Sequence, residues 1–252
     1  MSPSRLLFLT AVLPEARALA RAFSLATRSL ARGGIAGPSS AFPGVHLANV
    51  GIRARNVAKV LAVVNPQLIV MTGLAGALSP HLQVGDIVLD GPPPLLPPVN
   101  CPAAFAIRQG TIHTVEGVIA TAAQKAALFA RTGALAVDME TRIVCDAARP
   151  LGIPVIGVRA ISDAAHEPLD PRLLALLDDD GNPKLHLVGA LLLRHPTALA
   201  TLLHIKRATD AALANLGTFL VQAAMSGWPR LDTPSSSSTP QLSPSANFSK
   251  AL

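Results

Sequence analysis

The sequence predicts an α/β fold: a mostly parallel or mixed central sheet with helices flanking it on both faces. Three observations carry this expectation. Apolar runs of strand length alternate with segments of helical period, the pattern of a sheet covered on both sides. The stretch "AVDMETRIVCDAARPLGIPVIGVRAISD", Ala136 to Asp163, reads as strand, helix, strand, with carboxylates where each strand ends. The chain has 252 residues, half of them hydrophobic, enough for one sizeable core.

In chain order, strands are expected at Leu6–Val12, Val45–Val50, Leu68–Thr72, Ile87–Leu89, Leu135–Val137 and Val155–Ile161, with a weaker one within Thr111–Ile119. Helices are expected at Pro14–Leu25, Arg55–Val64, Ala122–Arg131, Glu140–Leu151, Pro171–Leu177 and Thr197–Met225. The first helix places Ala16, Leu19, Ala20 and Phe23 on one face; the fourth does the same with Ile143, Val144, Ala147, Ala148 and Leu151, and Gly152 and Pro154 stop it. The Pro-rich stretch Gly91–Pro102 lacks the backbone donors of a regular element and reads as a surface loop. Residues 1–228 read as a single domain, and the Ser- and Pro-rich residues 229–252 as a disordered tail.

Charge and composition narrow the function classes. Lys and Arg number 21 against 15 Asp and Glu. No compact basic run with interleaved aromatics is present, so nucleic acid is not the expected partner. Two cysteines, Cys101 and Cys145, make neither a disulfide framework nor a metal site. Cys145 falls on a helix read as buried. The start, Arg5 followed by "LLFLTAVL", has the look of a signal peptide, but Pro14-Glu15 cut the apolar run short; a buried strand followed by a helix accounts for the same residues. "LHLVGALLLRHPTALATLLHIK" is broken by Arg194, His195 and Pro196 and does not read as a spanning helix. A cytoplasmic protein is expected.

Several residues at the expected strand ends could do chemistry. Gly51 ends one strand, with Arg53 and Arg55 at the start of the next helix; backbone amides and two arginines there could hold phosphate, or the segment is a plain turn. "TGLAGAL", Thr72–Leu78, reads as a Gly-rich turn whose bare backbone could touch a ligand. Glu140 and Asp138 could cap a helix, or grip the hydroxyls of a sugar. Asp163, after Ser162, could cap a helix or serve as a general acid. Glu15 is a fourth carboxylate at such an edge.

Together, "LTAVLPEAR", "TGLAGALSPHLQVGDIVL" and "TGALAVDMETRIVCDAARPLGIPVIGVRAISD" resemble the nucleoside phosphorylase and nucleosidase family, the purine nucleoside and uridine phosphorylase superfamily. The resemblance runs through residues 5 to 165 and implies the three-layer phosphorylase-like fold. It implies that Glu140 binds the ribose hydroxyls with Met139 against the sugar. It further implies that Asp163, beside Ser162, protonates or hydrogen-bonds the purine at N7. Ala75 and Gly76 stand where the family's backbone amides face the sugar or nucleophile. Glu15 stands where nucleosidases keep a carboxylate that handles the attacking water, and Val118 where the base pocket is lined. No metal and no organic cofactor are implied; inorganic phosphate is the co-substrate of the phosphorylase branch.

The sequence departs from the phosphorylases at their phosphate site. Arg53 stands where a glycine is expected, Leu74 replaces a phosphate-binding serine, and Met71 an arginine. Gly51, Arg53 and Arg55, or Arg17 or Arg159, are the groups that could substitute. The last third resembles the hopanoid-associated phosphorylases, which implies release of adenine from adenosylhopane, a nucleoside carried on a pentacyclic lipid. On that reading Leu185–Leu193 borders an apolar entrance, and Arg194, Lys206 and Arg207 face anionic headgroups at the inner face of a membrane; otherwise these leucines bury a helix pair. The alternatives are a nucleosidase using water on methylthioadenosine or adenosylhomocysteine, and a non-catalytic nucleoside-binding protein. The family also implies a homo-oligomer built from dimers.

Overall fold

The computed structural model describes residues 5–26, 34–98, 105–169, 184 and 198–229. Among these, nine strands form one mixed sheet. In chain order the elements are β1 (Leu6–Thr10), α1 (Leu13–Ala22), β2 (Ile35–Ala36), β3 (Val45–Asn49), α2 (Val57–Val63), β4 (Leu68–Ala77) and β5 (Ile87–Asp90). They continue with β6 (Ile107–Gln109), β7 (Ile112–Thr114), α3 (Ala122–Thr132), β8 (Ala136–Asp138), α4 (Thr141–Ala148), β9 (Val155–Asp163) and α5 (Ala198–Met225). The main path runs β2-β3-β1-β4-β9-β5-β6, with β8 joined to the far end of β4 and β7 to β8.

Alternation along the central strands explains why they read as unbroken apolar runs. In β1 and β4, Leu6, Phe8, Leu68 and Val70 face a layer made by α1 and α5. Their neighbours Leu7, Leu9, Ile69 and Met71 face α2 and α4 through Val57, Val60, Leu61, Val144 and Ala148. A strand buried on both faces has no polar side to show. The opening segment is therefore an internal strand, paired to β3 and β4, and Ala16, Leu19, Ala20 and Phe23 are all fully buried as their spacing requires. On α4 the apolar stripe ends sooner than expected: Leu151 falls in a following 3-10 turn, Arg149–Leu151, and is exposed. Cys145 is half-buried rather than buried.

Three sequence expectations are corrected. The Gly-rich segment Thr72–Ala77 is not a turn but the second half of β4, because β9 continues to pair with it and β8 joins at Gly76 and Ala77. Arg55 does not open a helix; a 3-10 turn at Ile52–Ala54 intervenes, with Arg53 and Ala54 at positive φ, and α2 begins at Val57. The Pro-rich stretch after β5 contains a 3-10 turn at Pro93–Leu95. Two short strands, β2 and β6, had no signal in the sequence beyond two or three residues each. The expected helix Pro171–Leu177, the Leu185–Leu193 segment with Arg194, Cys101 and residues 230–252 lie outside the described residues. No helix among the described residues is long and apolar enough to cross a membrane.

Phe8 is fully buried and meets the ring of Phe23, 5.0 Å away between centroids. Phe8→Ala should cost about 3–5 kcal/mol of folding stability, read as a lower urea midpoint at unchanged slope.

Candidate active site

The site lies where the edge of β4 changes partner. β1 pairs with Leu68–Met71, and β8 with Gly76 and Ala77. Between them the edge of β4 has no strand beside it, so its polar backbone groups must be satisfied otherwise. Two charged side chains do this. Glu15 Oε1 accepts the Leu74 N–H at 2.8 Å, and its Oε2 accepts those of Ala11 and Val12 at 3.0 and 3.3 Å. Arg159 donates from Nη1 to the carbonyls of Thr72 and Leu74, at 3.2 and 3.5 Å. Ligands collect at such topological breaks in open α/β sheets, and here the break holds a cavity of about 300 Å³.

Room for Glu15 comes from a missing side chain. A Cβ on Gly73, whose φ is +135°, would lie 2.5–2.6 Å from the Glu15 carboxyl atoms. Glu15 is buried, and burial pushes its carboxyl up to about 6; the Arg159 charge pulls it down, as do the Leu74 and Val12 N–H groups, and Glu140 adds a push upward.

Arg159 is fully buried and organises the acidic end of β8. Its Nη2 pairs with Asp138 and lies 3.4 Å from Glu140 Oε2. Asp138 also accepts from Thr114 Oγ1 at 2.7 Å, from the Thr141 N–H at 3.0 Å, and from the Thr141 hydroxyl. Burial alone would raise the Asp138 carboxyl, but the guanidinium and the two hydroxyls overcome it and hold it below the usual range. Asp138 is thus occupied by the protein itself. For Glu140 burial wins: its carboxyl is raised, against the pull of Arg159 and the Arg53 N–H. Glu140 Oε1 accepts that N–H at 3.0 Å, which leaves lone pairs toward the cavity it lines.

Asp163 is aimed by a bulge. Ala75 is opposite Ile161 but Gly76 is opposite Asp163, so Ser162 is an extra residue on β9, the local device that redirects side chains beside active sites. Ser162 and Asp163 both line the cavity. Asp163 Oδ1 accepts the Ser162 hydroxyl at 2.6 Å, and its Oδ2 accepts Lys125 Nζ at 2.5 Å.

The cavity wall therefore brings together Glu15, Ala75, Gly76, Val118, Met139, Glu140, Ser162 and Asp163, from five separate stretches of chain. The remaining lining is largely aliphatic: Val12, Ile52, Leu74, Ile119 and Leu169 among others. The expected phosphate group is not gathered in the same way. Gly51 donates its N–H to Asn49 Oδ1 and Arg55 packs over it; Arg53 is exposed, and only Ile52 of this turn reaches the cavity. Arg17 is exposed on α1, and Arg159 is committed to the network beneath. Sequence reasoning missed Lys125, read as part of an ordinary helix, and Gly73, whose significance depends on what lies over it. Among the described residues no cluster of three or more His, Cys, Asp or Glu is placed to hold a metal ion.

Comparison with known proteins bears on the family resemblance and on the fold. Residues 101–186 match the family model described as the phosphorylase superfamily. No curated protein matches the chain significantly in sequence. Solved structures share its fold. A futalosine hydrolase of Helicobacter pylori superposes with a TM-score of 0.60 at 14% identity, covering 88% of this chain and 98% of its own. A 5'-methylthioadenosine/S-adenosylhomocysteine nucleosidase from Colwellia psychrerythraea, solved with adenine, gives 0.63 at 16% identity, with 87% and 94% covered. The nucleosidase of Neisseria meningitidis, solved with methylthio-immucillin-A, gives 0.62 at 18% identity, with 88% and 99% covered. The resemblance to the nucleoside phosphorylase and nucleosidase family is thus borne out by the segment match and by the fold, a mixed sheet flanked by helices.

Gly73→Ala should displace Glu15 and lower turnover of any substrate of this site by about a hundredfold, the scale expected when a reacting group moves by about 1 Å. Far-ultraviolet circular dichroism should remain that of the parent.

Proposed function

We propose that this protein cleaves the N-glycosidic bond of an adenine nucleoside with water as the acceptor. The observation that carries the reading is the make-up of the cavity wall: among the described residues it holds four carboxylates, one lysine and no arginine. Lys125 is committed to Asp163 and Arg159 to Asp138, so among the described residues no spare cation faces a phosphate there, whereas the acids favour an oxocarbenium-like sugar and do not repel a neutral water.

The chemistry follows from placement. Asp163 gives a proton to N7 of the base as the C1'–N9 bond breaks, and the bonding pair leaves with the purine. Glu140 accepts hydrogen bonds from the ribose hydroxyls. Glu15 takes a proton from water as its oxygen bonds to C1'. Adenine and the ribose, still carrying its 5' substituent and now bearing a hydroxyl at C1', leave, and solvent returns the proton from Glu15 to Asp163. Only groups that act on the developing charge speed this step, and Asp163 and Glu15 do so from opposite ends of the bond.

The aliphatic lining supports a nucleoside with an apolar group on its 5' carbon. A short thioether fits this description, and so does the lipid of adenosylhopane implied by the sequence resemblance. Phosphorolysis is the second reading; on its side is Ile52, which brings the Gly51–Arg55 turn to the cavity rim.

Adenine release from methylthioadenosine and adenosylhopane, with and without phosphate, tests the proposal. Hydrolysis predicts a 5'-substituted ribose with a free hydroxyl at C1' and a rate independent of phosphate; a strict phosphate requirement, with a sugar 1-phosphate as product, would refute it. Asp163→Asn should lower kcat roughly 10²–10⁴-fold, the usual contribution of a general acid. Because Glu15 must be ionised to accept a proton, the rate should fall as pH drops through about 6, and a profile flat from pH 5 to 7.5 would remove Glu15 from the mechanism.

A further inference from the structure

Lys125 sits on α3, and among the described residues no other lysine is buried. An unpaired ammonium in that setting would be strongly unfavourable. It has three N–H donors, and each has an acceptor: Asp163 Oδ2 at 2.5 Å, Ala164 O at 2.8 Å and Glu167 O at 2.9 Å. Nothing remains on it for a substrate, although it lines the cavity.

The consequences fall on Asp163. One oxygen is held by the Ser162 hydroxyl at 2.6 Å and the other by Lys125, so the carboxyl plane is fixed from both ends. The turn that follows is fixed by the same ammonium. Within it, the Ala164 N–H meets Glu167 Oε2 at 3.0 Å and the Glu167 N–H meets Ala164 O at 3.1 Å. Leu169 then donates to Ala120 O at 2.8 Å, next to the start of α3. Helix, strand end and turn are thereby joined at one nitrogen.

We propose that Lys125 is a positioning residue for base release, acting through Asp163: it fixes the orientation of the carboxyl group that faces the departing base and balances its charge when the proton has been given up. This rests on the reading of Asp163 as the acid. Because Lys125 has no spare donor, its loss should affect the chemical step and leave substrate affinity nearly intact.

A double-variant cycle tests this, using the full chain and adenine release from methylthioadenosine or whichever adenine nucleoside the parent protein turns over. Lys125→Met should lower kcat about ten- to a hundredfold with KM changed less than about threefold, because a misplaced acid loses transition-state rather than ground-state interactions. Lys125→Met with Asp163→Asn should be no slower than Asp163→Asn alone, since residues acting as a unit are not additive. A Lys125→Met protein with parental kcat, or losses that multiply in the double variant, would overturn the inference. If Asp163→Asn alone keeps parental kcat, the assignment of the acid falls instead, which separates the two failures. Should Lys125→Met not fold, Lys125→Gln takes its place in the same cycle under the same criteria.

Discussion

The guanidinium of Arg159 is the constraint on which the rest of the site depends. It is fully buried, pairs with Asp138, approaches Glu140, and donates to two carbonyls of β4. Both acids are themselves buried, so removing the cation would leave them uncompensated in a poorly solvated interior, a cost of about 3–5 kcal/mol in comparable buried pairs. The arrangement also decides what each acid is for. Asp138 is consumed by Arg159, Thr114 and Thr141, while Glu140 and Glu15 feel the same cation less and keep raised carboxyls.

The sheet makes this possible through two irregularities. β4 is longer than β1, and β8 reaches only its last residues, so a gap opens at Thr72–Ala75, where Glu15 accepts from an N–H of β4 and Arg159 donates to its carbonyls. The extra residue on β9 then brings Ser162 and Asp163 to the same cavity. A regular sheet would bury its backbone groups in ladders and leave no such cavity.

Much of this was legible in the sequence. Strand and helix positions followed from periodicity because β1, β4 and α1 are buried as their patterns require. The strand-end acids Glu15, Glu140 and Asp163 were found because they follow apolar runs at abrupt polar breaks. The second half of β4 was not, since "TGLAGAL" has the composition of a turn; its glycines serve close approach by Glu15 and Asp163 instead. Lys125 was invisible for a related reason. In "TAAQKAAL" a lysine reads as solvent-facing, and only the fold, through a partner 38 residues away, shows it buried. Local pattern reports which element a residue belongs to, but not what a distant segment brings against it.

The contact between Glu15 and the Leu74 amide spans 59 residues, and that between Arg159 and the Thr72 carbonyl spans 87. Such long-range closures are made late and slowly in a folding chain. No contiguous fragment short of Glu15 through Asp163 contains all the groups of the site, so the site would be complete only at the end of assembly. Nascent chains emerging from the ribosome would lack the assembled cavity until β9 had been synthesised and docked.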